Sequence, residues 1–391
     1  MNLLGDCQEL HRRNLLSREQ LDEYEEALHS SDTSYDAICD VVSSLLIQEA
    51  DNIVEHVRIQ NNEQDTKTNI NSDLATMAIG GALSAFTSWL WTSSNTTPTT
   101  NATTLLTSAY DGAMATFNVA KRMRRVQQLQ LKLLSGNAAT CTHVVFCING
   151  FMTQSDDPTK NWRVWTQTNE DVAVFAVLWE AGDAAAWNKF CMHATDNLSQ
   201  SSIVNVIAHF TENPWHSAQI KAERVGVLLA QMFSQRPGLV RNRKISIFGH
   251  SLGGAVIYSA FQELAKLRAE DKELPLISNA VSFAGAFVPN AKGLENVTLA
   301  LDPMGGKFVN VYSTRDNALS KVFSALQGLN VENLAAAGCH AVAFASQTSA
   351  SCVNVDVSDI VIPCAENHFG HGYHSFMEGI KSRVLPHLFQ T

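Results

Sequence analysis

Apolar positions along this chain change their period near residue 140. Upstream they recur every three or four residues, as on one face of a helix. Between Ser34 and Arg58 they are Ile38, Val41, Val42, Leu45, Leu46, Ile53 and Val57. Ser17-x-x-Gln20 has the form of a capping box and predicts a helix start there. Asn61 to Asn71 is polar and reads as a linker. From about Cys141 the pattern turns to short apolar runs. The predicted strands are His143–Ile148, Val172–Leu178, Lys244–Phe248, Ala280–Ala284, Lys307–Tyr312 and Val353–Val357. Amphipathic stretches lie between them, notably Ala218–Phe233 and Ala255–Leu267. Such alternation predicts an α/β domain with a mostly parallel sheet and flanking helices. The expected division is therefore a self-contained helical N-terminal region, 1–135, and an α/β domain, 136–391.

One segment fits neither period. From Leu74 to Tyr110 there is no charged residue. Its first half, Leu74 to Trp91, would reach about 27 Å as a helix at about 1.5 Å per residue, near the thickness of a thin hydrocarbon layer. Trp89 and Trp91 close it like an interfacial belt, and Lys121, Arg122, Arg124 and Arg125 follow as a basic flank. The abundance of Ser, Thr and Gly, and Asp111 on the return arm, speak instead for a helix buried against the rest of the protein. Membrane association through 74–110 is thus one of two expectations.

Composition narrows the partners. The 391 residues carry a net charge of −10, with no long basic stripe, so a nucleic acid is not expected. Hydrophobic residues at 45% supply enough apolar surface for a core. The eight cysteines are scattered without a Cys-x-x-Cys pair, and the N-terminus lacks a basic start followed by an apolar run. Reduced thiols on the cytosolic side, rather than secretion, are the expectation. No His, Cys and carboxylate spacing calls for a metal, and no motif calls for a cofactor.

The chemistry concentrates in Lys244-Ile-Ser-Ile-Phe-Gly249-His250-Ser251-Leu252-Gly253-Gly254. A bare Gly-x-Ser-x-Gly carries little weight. Here it follows a β-branched run and opens into a helix with Val256, Phe261 and Leu264 on one face, the strand–turn–helix setting of a nucleophile elbow. Ser251 is the candidate nucleophile. It requires a base, an orienting acid and oxyanion donors. The favoured acid is Asp316, at the end of the strand Phe308–Tyr312, where reactive groups gather in open α/β sheets. Asp302, ahead of that strand, is the weaker candidate. The base lies in Asn367-His368-Phe-Gly-His371-Gly-Tyr-His374-Ser. His374 abuts the predicted start of the last helix, whose dipole favours a neutral imidazole, and is slightly preferred. His371, between glycines, stays open beside it; His368 reads as a plain loop residue. The expected oxyanion donors are the backbone N–H groups of Leu252 and of Phe151, in Ile148-Asn-Gly-Phe151.

Several separated stretches resemble one family. They are Ile148-Asn-Gly-Phe, Leu178-Trp-Glu, Asn213-Pro-Trp, Gly249-x-Ser251-Leu-Gly253, Val309-Asn-Val-Tyr-Ser-Thr-Arg-Asp316 and Asn354-Val-Asp-Val-Ser-Asp359. In that order, from about Thr142 onward, they look like the α/β-hydrolase domain of the transmembrane and coiled-coil domain-containing protein four family. The resemblance implies a triad of Ser251, Asp316 and a C-terminal His. It also implies that the apolar stretch after Leu74 takes the place of a membrane hairpin. This chain departs from the family by inserting Ile362–Phe369 ahead of its Gly-His pair. The expected function is a serine hydrolase of carboxylic esters, with lipid acyl esters as substrates. The alternatives are a catalytically silent adaptor at a membrane and a thioesterase or peptidase with the same triad.

Overall fold

The structure, a computed structural model, describes residues 3–29, 35–68, 125–166, 171–185, 214–323, 335–344, 351–365, 367 and 369–388. The uncharged segment 74–110 and His368 lie outside the described residues.

Among the described residues one sheet of seven strands organises the chain, in the order β1-β3-β2-β4-β5-β6-β7. The strands are β1 (Leu129–Ser135), β2 (His143–Ile148), β3 (Val172–Trp179), β4 (Lys244–His250), β5 (Ile277–Phe283), β6 (Lys307–Tyr312) and β7 (Cys352–Asp356). Strands β2 to β7 run parallel and β1 pairs antiparallel with β3. The central strands are uninterrupted apolar runs because helices cover both faces. In β2 every residue from Val144 to Ile148 is buried. At the edge, β1 alternates instead: Leu129 and Leu131 point inward, Gln130 and Lys132 outward. Strand order, a single antiparallel edge strand and helical crossovers make this an α/β-hydrolase fold.

Two expectations about the first third need correction. Residues 129–135 belong to the sheet, so the sheet starts on the N-terminal side of the expected 135/136 boundary. The helical region is not self-contained either. Helices α1 (Leu3–Arg12), α2 (Arg18–His29) and α3 (Tyr35–Thr68) precede the sheet, and α3 continues through the stretch that reads as a linker from Asn61. Residues Ile38, Val42, Leu46, Ala50 and Val54 of α3 are buried at four-residue spacing. Polar groups tie this face down: Asp51 accepts the N–H of Leu131 at 2.9 Å, and Glu49 accepts that of Gly238 at 2.9 Å. Asp6 of α1 pairs with Arg243, just ahead of β4, at 2.7 Å. A partly buried carboxylate tolerates that position because a guanidinium compensates it.

Helices α4 (Pro158–Thr166), α5 (Pro214–Ser234), α6 (Leu252–Glu270), α7 (Ala291–Ala300) and α8 (Met377–Leu388) cover the sheet. Close packing of α5 on α6 depends on Gly226, where an added Cβ would lie 2.4 Å from the Val256 carbonyl. That contact seats the helix which follows Ser251.

Candidate active site

Strand β4 runs two residues further than its apolar pattern predicts, to His250, and α6 begins at Leu252. Ser251 alone makes the turn, with φ 57° and ψ −116°, a conformation that costs a non-glycine residue of order 1–3 kcal/mol. Its N–H donates to the Phe283 carbonyl and its carbonyl accepts from Gly254 and Ala286. The glycines around it answer to contact. A Cβ on Gly249 would sit 2.4 Å from the Gly253 carbonyl, and one on Gly253 would sit 2.2 Å from the Ile148 carbonyl. Gly253→Ala is therefore expected to destabilise the fold by about 1–3 kcal/mol through forced backbone shifts, read as a lower midpoint in urea unfolding. An unchanged midpoint would contradict this packing.

The side chain of Ser251 lies at one end of a chain of hydrogen bonds. Its Oγ is 2.9 Å from His371 Nε2, and His371 Nδ1 is 2.7 Å from Asp316 Oδ2. Asp316 is fully buried, and its other oxygen accepts the N–H of Leu319 at 3.0 Å. A single turn of π-helix, Ala318–Phe323, follows this aspartate. Because a carboxylate only accepts, Nδ1 of His371 carries the proton, which leaves Nε2 bare toward the serine hydroxyl.

The structure thus brings Ser251, Asp316 and His371 together and leaves the preferred histidine, His374, aside. His374 Nδ1 instead meets the carbonyl of Asn161 in α4 at 3.1 Å, while Nε2 is buried without a partner among the described residues. Backbone geometry is the reason. Gly370 has φ +66°, and a Cβ there would lie 2.5 Å from the Arg315 carbonyl. Only glycine lets the loop lie against the residue before Asp316, and this delivers the next side chain, His371, to the carboxylate. His374 falls within the short 3-10 turn Tyr373–Phe376, one turn on, and faces α4. The Gly370-His371-Gly372 context is the signal in the sequence that could have singled out His371. Asp302 lies ahead of β6, at the opposite end of the strand from Asp316, where it accepts the N–H of Met304.

The loop after β2 reaches the same point. A Cβ on Gly150 would be 2.6 Å from Ser251 Cβ, so Phe151 follows directly beside Ser251. Leu252, as first residue of α6, has an N–H with no acceptor within its own helix. Sequence reasoning missed the groups that hold this loop. Asn149 Oδ1 accepts from Trp162 Nε1 at 2.6 Å, and the Asn149 carbonyl accepts from Trp179 Nε1 at 3.1 Å. It also missed His250, whose Nε2 lies 3.1 Å from the His371 carbonyl. A cavity of about 370 Å³ lies between α5, α6 and the loop after β5, along α6 from Ala255 to Gln262, and neither Ser251, His371 nor Asp316 lines it. Gln219, Glu223, Tyr258, Gln262, Ala286 and Phe287 contribute to its walls, and the rings of Tyr258 and Phe287 stack at 4.5 Å. Among the described residues, no group of three or more His, Cys, Asp or Glu is placed to hold a metal ion.

Burial sets the charge state of His374 and His250 beside this site and of His143 at the opposite end of the sheet. It pulls His374 and His143 down to about 4 from the ordinary 6.5, and holds His250 well below it. On unfolding, these rings regain the higher value, so the unfolded chain takes up protons first. The stability they confer is full above about pH 6.5 and is lost as the pH falls from there towards 4. Urea midpoints should therefore drop between pH 7 and pH 4.5; a flat profile over that range would contradict neutral burial.

A family model described as "Protein of unknown function (DUF726)" matches residues 66–373. The chain is 26% identical over 296 residues to the rice "Transmembrane and coiled-coil domain-containing protein STS1", a match covering 69% of this chain and 40% of that protein. It is 32% identical over 122 residues to the "Probable lipase MIL1" of Saccharomyces cerevisiae, covering 31% of this chain and 10% of that one. An "Uncharacterized membrane protein C6F6.13c" of Schizosaccharomyces pombe is 26% identical over 244 residues, covering 56% and 30%. The chain thus spans less than half the length of these relatives. Among solved structures, it is similar to Thermogutta terrifontis esterase 2 at 12% identity and a TM-score of 0.33, covering 66% of this chain and 90% of the esterase. No helix among the described residues is long and apolar enough to cross a membrane.

Proposed function

This chain belongs to the DUF726 family, and we propose that it is a serine hydrolase of carboxylic esters in which Ser251, His371 and Asp316 form the catalytic triad. The observation that carries the reading is the unbroken path Ser251 Oγ–His371 Nε2–His371 Nδ1–Asp316 Oδ2, with separations of 2.9 and 2.7 Å on either side of the imidazole. As Ser251 Oγ attacks the ester carbonyl carbon, its proton passes to His371 Nε2. Asp316 holds the ring in the required tautomer and stabilises the imidazolium that results. The N–H groups of Leu252 and Phe151 receive the oxyanion. His371 then protonates the departing alcohol, an acyl-enzyme remains on Ser251, and a water activated by the same nitrogen releases the acid.

Lipid acyl esters are the proposed substrates. The uncharged run from Leu74 to Tyr110 supports association with a membrane from the cytosolic side, and a relative called a probable lipase supports the reaction class. Kinship to the four type of the transmembrane and coiled-coil domain-containing proteins is part of the same proposal.

The test is labelling of the full chain with a fluorophosphonate probe, which captures an activated serine. Wild type should label and Ser251→Ala should not. Absence of labelling in wild type, or equal labelling in the variant, would overturn the enzyme reading in favour of a silent scaffold.

A further inference from the structure

The residue immediately before the nucleophile is a histidine with no place in the mechanism above. His250 ends β4 and is only 6% exposed. A buried imidazole is costly unless its polar atoms are used, and this one uses its Nε2 on a single group, the backbone carbonyl of His371, at 3.1 Å. A carbonyl only accepts, so Nε2 of His250 carries the proton and donates it. We infer that His250 is a positioning residue, whose Nε2–H holds the His371 peptide and so fixes the reach of the His371 ring to Ser251 on one side and Asp316 on the other. This inference rests on the triad proposed above.

The geometry makes the link short. His250 is peptide-bonded to Ser251, and its side chain grips the main chain of the base that serves Ser251. Nucleophile and base therefore hang from one hydrogen bond, although they are separated by 120 positions in the sequence. The loop that carries His371 is otherwise held by the Gly370 contact with Arg315, by the Asn317 N–H on the Phe369 carbonyl at 2.7 Å, and by Asn367 Oδ1 on the Gly372 N–H at 2.8 Å. The first two ties place the loop relative to Asp316 and the third braces it internally, whereas the His250 bond places it relative to the elbow. The His250 ring also lies 5.0 Å from the His371 ring at an interplanar angle of 39°, and so limits its tilt.

A neutral strut suits this position. A second positive ring 5 Å away would oppose the imidazolium that His371 becomes. The groups facing His250 are His374 at 4.6 Å, His371 at 5.0 Å and Tyr373 at 5.6 Å between ring centres, and no carboxylate is among these ring contacts. Burial, with those two histidines adding to it, keeps His250 uncharged.

Three variants of the full chain test the strut. His250→Gln keeps an N–H donor near the place of Nε2, His250→Leu removes it, and His250→Asn retains polarity but is too short to reach. Loss of the bond should lower kcat by about 10- to 100-fold, as misplacement of a catalytic group does, with KM changed less than about twofold in Leu and Asn. Gln should recover to within about threefold of wild type. A downfield proton resonance from His371 Nδ1–H on Asp316 gives a readout independent of turnover. It should be present in wild type and Gln and lost or shifted in Leu and Asn. Folded Leu and Asn variants that keep wild-type kcat and resonance would overturn the strut, as would a Gln variant that behaves like Leu. Were wild type to hydrolyse nothing, the enzyme reading would fail, and the resonance alone would still decide the strut.

Discussion

Ser251→Ala should abolish ester hydrolysis, with kcat falling by at least about a thousandfold, while the chain stays folded. Removal of a nucleophile in a serine triad costs about as much as removal of the whole unit, and what survives comes from binding and the oxyanion donors. The substitution is clean at this position. Alanine keeps the Cβ that serine already carries at φ 57°, so the turn gains no new strain. The backbone bonds of residue 251 to Phe283, Gly254 and Ala286 do not involve the hydroxyl. Steady-state rates on a short-chain ester, beside a thermal midpoint equal to wild type, form the measurement. Retention of more than about a tenth of the rate would remove Ser251 from the mechanism.

The second large effect separates two histidines three positions apart. His371→Gln should lower kcat by about a thousandfold or more, since glutamine offers no base to accept the serine proton. His374→Gln should leave kcat within about tenfold and act on stability instead, costing about 1–3 kcal/mol for a disturbed buried polar group. The contrast follows from what each ring touches: Ser251 and Asp316 for His371, the Asn161 carbonyl and the Trp162 ring for His374. Parallel ester kinetics and urea unfolding of the two variants distinguish the effects. Equal losses of rate would place the base function on both rings or on neither.

The elbow was legible in the sequence because its requirements are local. A β-branched strand, two glycines at fixed offsets and an amphipathic helix must follow one another along the chain, and all of them did between Lys244 and Leu264. Asp316 was legible for a related reason, since the end of a parallel strand is a place that strand patterning alone can find. Edge strand β1 was not. Its alternating Leu-Gln-Leu-Lys run is short and carries a charge, and its strand character depends on pairing with β3, which follows more than 30 residues later. The helical continuation through Asn61–Thr68 was also hidden, because a polar composition does not distinguish a helix end from a linker.

The sequence by itself determined the fold class, and it placed the strand–turn–helix at Ser251 and the strand end at Asp316, because each rests on periodicity and on residues adjacent in the chain. Tertiary structure decided which histidine meets Ser251. That choice turns on a positive φ at Gly370 and on its close approach to Arg315, a contact between segments 55 residues apart. It also decided that helices α1 to α3 pack against the α/β domain rather than standing alone, through the Asp6–Arg243 pair and the Glu49 bond to Gly238. Local patterns show what a segment can become. Which distant groups are brought within 3 Å of one another depends on how the whole chain closes its core.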